Sequence, residues 1–278
     1  MEKYNRLWRS FIAIGLIAIA VQQLVCADFR SVMLPPAYPA WLTHRLIWTW
    51  IFSIALIAAC MAILFEIRAR SISLILAAVF LLFFLVFQVP PQLSGAHILT
   101  FDSSASLYKE IKAYINNIGS WVIPFKELAF SGGALIIAGS FLPENNASDF
   151  VKLLGKLIPA GKYFFGFTLA LFGFIHFVYP GFAASLVPGW MHFSFFWMYF
   201  GGVALIAGGL GIMIKPTRRL AALLTGIMLF LWVIMLHIPR GIADPHTGDG
   251  NEWTSVFEAL AFSGIAFILS GRTSQTGK

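Results

Sequence analysis

Three ionisable side chains, those of His176, His237 and Glu258, lie within or at the ends of strongly apolar stretches of this sequence. An ionisable group in such a stretch is energetically costly and by default indicates a functional site. Imidazole titrates near neutral pH and can hydrogen-bond the carbonyl oxygens of a lipid-soluble quinone. We therefore predict that these residues form the catalytic or ligand-contacting polar cluster of the protein, without assigning a reaction to it.

Trp197 and Arg240 are predicted to complete this site as contacts for a quinone or a lipid, beside the two histidines. A transition metal is a second ligand that two imidazoles and a carboxylate can bind. However, none of the three ionisable residues lies three or four positions from another, the spacing that places two ligands on one helix face. We therefore assign no metal ligand. The competing interpretation is structural, because polar side chains inside a helix bundle also join neighbouring helices by hydrogen bonds.

A duplication relates these positions to others in the chain. The segment 125–132, Phe-Lys-Glu-Leu-Ala-Phe-Ser-Gly, recurs at 257–264 as Phe-Glu-Ala-Leu-Ala-Phe-Ser-Gly. Residues 23–29 align with 176–182, and 88–90 align with 237–239. Three aligned polar positions differ between the two halves: Gln23 against His176, Gln88 against His237, and Lys126 against Glu258. We therefore expect the function to reside in the second half.

The composition indicates a polytopic membrane protein. Hydrophobic residues make up 59% of the chain and charged residues 11%, against about 25% charged in an ordinary globular protein, and the mean hydropathy is +0.82. Crossing the hydrocarbon core takes roughly 20 apolar residues, and in lipid a helix satisfies its own backbone groups. We predict an all-α fold with eight transmembrane helices, of which the fourth and eighth carry charges, at 8–26, 45–66, 71–90, 121–142, 163–183, 193–214, 218–238 and 253–271.

Four spans in each half predict two parallel repeats, because an even number of crossings returns the chain to its starting side. We assign a four-helix bundle to residues 1–142, a cytoplasmic linker to 143–162 and a second bundle to 163–278. Thirteen of the 19 Lys and Arg residues fall at one set of helix ends, which places both termini in the cytoplasm. This topology accounts for the net charge of +7, and without a soluble basic domain no nucleic-acid partner is expected.

Lys126 and Glu258 carry opposite charges at aligned positions, and each needs a partner inside the membrane. We favour an arrangement in which Glu258 accepts hydrogen bonds from the two histidines or Arg240 within the second half. The alternative is a bridge between the halves, in which Glu258 pairs with Lys126 while the adjacent Glu127 competes for the same lysine.

The small residues and the cysteines have simpler interpretations. Gly166, Ala170 and Gly173, together with the Gly/Ala-rich run 201–211, have the spacing of close-packed transmembrane helices. The only cysteines are Cys26 and Cys60, and they form no Cys-x-x-Cys motif. The chain therefore lacks the usual apparatus for thiol–disulfide chemistry.

Several motifs of the second half together carry a family resemblance: Gly173-x-x-His176-Phe177, Val187-Pro188-Gly189-Trp190, His237-Ile238-Pro239-Arg240 and the segment 257–264. In these motifs the second half resembles the DoxX-like family of small bacterial four-helix membrane proteins. The first half resembles a diverged copy, which departs at Gln23, Gln88 and Lys126. The resemblance implies a link to quinones, as in the membrane subunit of thiosulfate:quinone oxidoreductase, or a role as a membrane partner or maturation factor.

The sequence thus predicts an integral protein of the bacterial inner membrane, embedded in the lipid bilayer. Its expected role is a quinone-interacting or redox-accessory component with its site in the second half. The alternative is a non-enzymatic scaffold or assembly factor that holds a membrane or periplasmic protein partner through its outer loops. A transporter is less favoured, because the sequence has neither inverted repeats nor paired broken helices.

Overall fold

The structure is a computed structural model that describes residues 2–34, 43–95, 118–246 and 250–271. These residues are helical apart from short connections, and no strand occurs among them. Eight of the described helices are long and apolar enough to cross a membrane, which confirms the predicted all-α class and the number of spans. They are α1 (Glu2–Cys26), α2 (Arg45–Leu64), α3 (Ala69–Leu93), α4 (Ile118–Ala138), α5 (Gly161–Val178), α6 (Ser194–Met213), α7 (Arg218–Ala243) and α8 (Asn251–Gly271).

The two charged spans, α4 and α8, lie in the interior of the protein. In each of them 72% of the spanning segment is buried, against 28–44% in the other six helices. A charged side chain on a lipid-facing helix would be exposed to hydrocarbon. The position of α4 and α8 therefore explains how these two helices tolerate Lys126, Glu127 and Glu258 within their spanning segments.

The contacts of the eight helices close into a ring, and α4 and α8 touch each other across its middle. Each helix packs on the next one along the chain, α8 packs on α1, and α4 and α8 also contact each other. The fourth helix of each half therefore packs on the first helix of the other half. We call the end of the ring where α1 begins and α8 ends the terminal face, and the opposite end the distal face.

Helices α4 and α8 run parallel, and aligned residues of the two halves meet along their contact. The ring of Phe130 lies 5.1 Å from that of Phe262, centroid to centroid. One turn further along both helices, Gly133 lies so close to Ile265 that a Cβ on the glycine would be 2.3 Å from Ile265 Cδ1. Contacts that advance in step along both helices require the same direction for both.

Both α3 and α7 contain a π turn near the distal face. The turns span Phe84–Gln88 and Val233–His237, and a proline follows each after one residue, at Pro90 and Pro239. Proline has no N–H to continue the helical hydrogen bonds, and a π turn is one way in which a helix adapts locally. Each turn ends at its polar residue, Gln88 or His237.

The glycines of α5 and α6 bring the two backbones into contact. A Cβ on Gly209 would lie 2.3 Å from the carbonyl oxygen of Gly166, and one on Gly173 would lie 2.4 Å from that of Gly202. Real Cβ atoms do not approach backbone so closely. The contacts confirm the close-packing faces predicted from the spacing of small residues.

The segment 143–162 is structured in this protein. It contains the short helix Asp149–Gly155 and the 3-10 turn Ile158–Ala160. Glu144 accepts hydrogen bonds from the backbone N–H and the hydroxyl of Ser71 at the start of α3. The segment is therefore held against the terminal face of the first half, and its assignment as a linker stays a prediction.

Candidate functional site

The carboxylate of Glu258 pairs with Lys126 across the interface of α8 and α4. Lys126 Nζ lies 2.6 Å from Glu258 Oε2, and the two side chains are 22% and 7% exposed. The pair lies one turn before the Phe130–Phe262 contact and continues the alignment of equal positions. The arrangement favoured from the sequence, in which Glu258 bonds to the histidines or Arg240, is therefore wrong, because the parallel helices bring the two aligned charges face to face.

Arg240 has a different carboxylate as its partner. Its Nε and Nη2 donate hydrogen bonds of 3.0 and 2.7 Å to the two carboxylate oxygens of Glu252. This fork geometry is the strong form of an arginine–carboxylate pair. The pair connects the distal end of α7 to the start of α8, so Arg240 has a structural role in holding these two helices together.

His237 ends the π turn of α7 and lies within electrostatic range of Lys126, Arg240 and Glu252. Its Nδ1 atom is buried and has no hydrogen-bond partner among the described residues. Buried polar atoms of side chains are usually satisfied, and one that is not calls for a physical explanation. His237 is therefore the member of the predicted cluster whose polar capacity is unused.

His176 and Trp197 have no described hydrogen bond or ion pair with this group. His176 Nδ1 is 2.7 Å from the carbonyl oxygen of Phe172 in its own helix. In the same helix, the Thr168 hydroxyl donates to the carbonyl oxygen of Phe125, the residue before Lys126. His176 lies eight residues further along α5 than Thr168. At 1.5 Å per residue this separation is roughly 12 Å along the helix. Trp197 is 40% exposed on α6.

The polar residues of the first half make structural contacts. The buried Gln23 side chain donates to Ser53 Oγ at 2.9 Å and accepts from the backbone N–H of Arg30 at 3.2 Å. Gln88 donates to the carbonyl oxygen of Ser31 at 3.2 Å. These bonds join α1, α2 and α3 near the distal face, as polar groups commonly do between membrane helices.

Glu127 is a buried carboxyl, which the sequence analysis considered as a competing partner for Lys126. It is 0% exposed, and neither oxygen has a hydrogen-bond partner within the described part of the chain. Gln88 is its polar neighbour but lacks hydrogen-bond geometry toward it. Glu127 does not compete for Lys126, because successive residues point to different sides of a helix. Its aligned position in the second half is Ala259, a contrast that the sequence already contains.

An apolar groove of about 730 Å³ separates α2 from α3. Its wall includes Phe29, Phe52, Phe83 and Phe87, and its described lining contains no charged side chain. The groove can receive a hydrocarbon chain, but it offers no charge to a polar head. The described residues also contain no group of three His, Cys, Asp or Glu side chains that could hold a metal ion.

Comparison with known proteins gives one partial match. A family model described as a domain of unknown function (DUF8561) matches residues 165–250, which is less than half of the chain. The matched region includes His176, Trp197, His237 and Arg240, whereas Glu258 lies beyond it. No curated protein and no solved structure is significantly similar to the chain.

Proposed function

We propose that this protein is a DoxX-like component of the bacterial inner membrane that binds a lipid-soluble quinone beside His237. The observation that supports the proposal most is the buried Nδ1 atom of His237, which has no partner among the described residues. An imidazole N–H at this position can donate to a quinone carbonyl oxygen, which needs no compensating charge. The ligand would satisfy a polar atom that the protein leaves unpaired.

The surroundings of His237 favour a neutral, carbonyl-bearing ligand over an ion. The charges nearest to it are already matched in pairs, Lys126 with Glu258 and Arg240 with Glu252. A charged ligand would have to compete with these pairs for its contacts. The position near the distal end of α7 also suits exchange of protons with the aqueous phase, for which histidine is chemically suited.

The assignment to two parallel repeats, with a linker at 143–162, is part of this proposal. Helices α2 and α6 begin at Arg45 and Ser194 and have equal lengths, and each follows a residue in the left-handed conformation, His44 and Phe193. The π turns of α3 and α7 are separated by the same 149 positions as the starts of α2 and α6. Common offsets in independent features support descent of both halves from one unit.

The experiment that tests the proposal is solvent extraction of the purified protein, followed by analysis of the organic phase for quinone. We expect the native chain to carry quinone and His237→Gln, which introduces the residue of the first half, to lose it. His176→Gln is the matched control, because that imidazole already bonds within its own helix. Equal quinone content in all three proteins would overturn the site, and no quinone in any of them would overturn the function.

A non-enzymatic scaffold is the second candidate, and the pairing of Glu258 favours it. A carboxylate engaged with Lys126 holds the two halves together and is not free for chemistry. A scaffold would bind a membrane or periplasmic protein through the distal loops. Replacement of loop 244–250 by Gly and Ser would then abolish cross-linking to the partner protein and leave the quinone content unchanged. If the native chain carries quinone and no cross-linked partner depends on the loop, the scaffold role is excluded.

A further inference from the structure

The segment between α4 and α5 crosses the terminal face of the protein from α3 toward α5. Its short helix, Asp149–Gly155, packs on α3, and the 3-10 turn Ile158–Ala160 packs on α4. The chain then enters α5 at Gly161. Because α4 packs on both α3 and α5, this path runs across the ends of the helices and not along them. The segment therefore lies in the plane of the terminal face.

The length of α5 places this segment at the boundary of the membrane. Helix α5 has 18 residues and is about 27 Å long at 1.5 Å per residue. The hydrocarbon core is roughly 30 Å thick, so α5 crosses it without help from the residues before Gly161. Tyr163 is exposed near the start of α5, and tyrosine is enriched where a membrane meets water. The short helix therefore lies at the depth of the lipid headgroups.

Two faces of the short helix contact the protein and water. Val151 is buried, and a Cβ on Gly155 would lie 4.0 Å from Leu74 Cδ1 of α3. These two residues are four positions apart and form the face that packs on the protein. Lys152 and Lys156 are exposed. They are also four positions apart and share a second, charged face.

The third face is apolar and is not covered by the described part of the chain. Phe150, Leu153 and Leu157 are 60%, 58% and 41% exposed. Successive members are three and four positions apart, which places them on one side of the helix. We call these three residues the apolar face. In a surface helix of a soluble protein such a face would be packed against the core.

We propose that residues 149–157 form an interfacial anchor that lies in the lipid leaflet at the terminal face. The apolar face contacts acyl chains, and the two lysines extend to the level of the phosphates. Lysine can do so because its long apolar stem lies along hydrocarbon while its ammonium group stays hydrated.

The charge pattern identifies phospholipid, and not a second protein, as the occupant of the apolar face. A lysine pair beside an apolar face complements a layer of phosphates above a layer of acyl chains, which is the pattern of helices that lie in the membrane interface. The path of the segment across the helix ends gives it the same orientation. The anchor fixes the depth of the connection between the two halves of the protein.

Fluorescence quenching in nanodiscs distinguishes lipid, water and protein around the apolar face. Leu153→Cys and Lys152→Cys are each introduced into a Cys26→Ser chain and labelled with a bimane. Because Cys60 is fully buried, the Cys26→Ser chain alone is the control for labelling. Phosphatidylcholine nanodiscs leave both sides of the bilayer accessible. Quenching is measured with a phospholipid that carries a nitroxide on its acyl chain and with iodide in the water.

We expect the lipid nitroxide to quench the label on Leu153→Cys at least about threefold more than that on Lys152→Cys, and iodide to show the reverse order. Equal quenching of the two labels by either reagent would overturn the proposal, because both faces would then share one environment. Protection of the label on Leu153→Cys from both quenchers would also overturn it, because protein would then cover the apolar face.

A second measurement uses the native chain and needs no label on the helix. A phosphatidylcholine with a photoreactive diazirine on its acyl chain is activated in vesicles, and its adducts are mapped by peptide mass spectrometry. We expect adducts on the apolar face and also on Phe167, an exposed residue of the spanning helix α5 that serves as the positive control. Labelling of Phe167 without any adduct within 149–157 would contradict the anchor.

Discussion

Lys126 and Glu258 neutralise each other inside the membrane, and this pair explains how α4 and α8 can be charged. Their side chains are 22% and 7% exposed. Removing one partner of a buried pair leaves the other charge uncompensated, which costs more than the intact pair contributes. A single replacement therefore measures the cost of leaving one buried charge without its partner, whereas the double replacement measures the loss of the whole pair. Comparing the two tests the pairing.

We expect Lys126→Met and Glu258→Gln each to lower the free energy of unfolding by about 3 kcal/mol, with the double variant recovering most of the loss. Denaturant unfolding in detergent micelles measures all three values. Lys152→Met removes an exposed pair with Asp149 and should produce no measurable change. Strictly additive losses in the double variant would contradict a direct interaction between the two residues.

Replacing Glu127 is expected to raise the free energy of unfolding, which is the opposite of the effect expected at Lys126 and Glu258. Its carboxyl is fully buried without a hydrogen-bond partner among the described residues, and such a group is costly to bury. Glu127→Met keeps a similar volume and removes both polar oxygens, so stability should rise by about 1 kcal/mol, or a few degrees in the unfolding midpoint. Thermal unfolding in the same detergent measures it, and a clear loss of stability would mean that the carboxylate has a stabilising contact after all.

At the scale of the elements, the contact between α5 and α6 depends on glycine. Gly209→Ala places a methyl group 2.3 Å from the carbonyl oxygen of Gly166, and overpacking of this kind costs about 1–3 kcal/mol. Gly189→Ala meets no atom within 4 Å and is the control that should unfold like the native chain. Detergent unfolding compares them. Equal stability of the two variants would show that the helices are not in backbone contact.

The helices could be predicted from the sequence because burial in lipid requires long apolar runs. The eight predicted spans agree with the structure to within about four residues, except at the start of α1, the end of α5 and the end of α7. The π turns were missed, although a proline two residues after Gln88 and after His237 is the signal for them. The partner of Glu258 depends on which helices pack together at the centre of the protein. Lys126 and Glu258 are 132 positions apart in the sequence, and no local sequence pattern predicts that their helices meet.

At the scale of the whole molecule, the basic residues predict the orientation. In the sequence, thirteen of the 19 Lys and Arg residues fall at one set of predicted helix ends, and an excess of this kind is typical of the cytoplasmic side. A reporter fused after Lys278 or inserted near Asn146 should therefore be cytoplasmic, and one inserted within 244–250 should be external. Opposite locations for the first two reporters would contradict the parallel arrangement of the halves.

The proposed quinone site can be tested most directly with a photoreactive quinone and peptide mapping of the labelled protein. We expect adducts in 233–243 or 251–258 that excess unlabelled quinone competes away, that are lost in His237→Gln and that are retained in His176→Gln. Labelling confined to the apolar groove of α2 and α3, or labelling that unlabelled quinone does not compete, would contradict a quinone site beside His237.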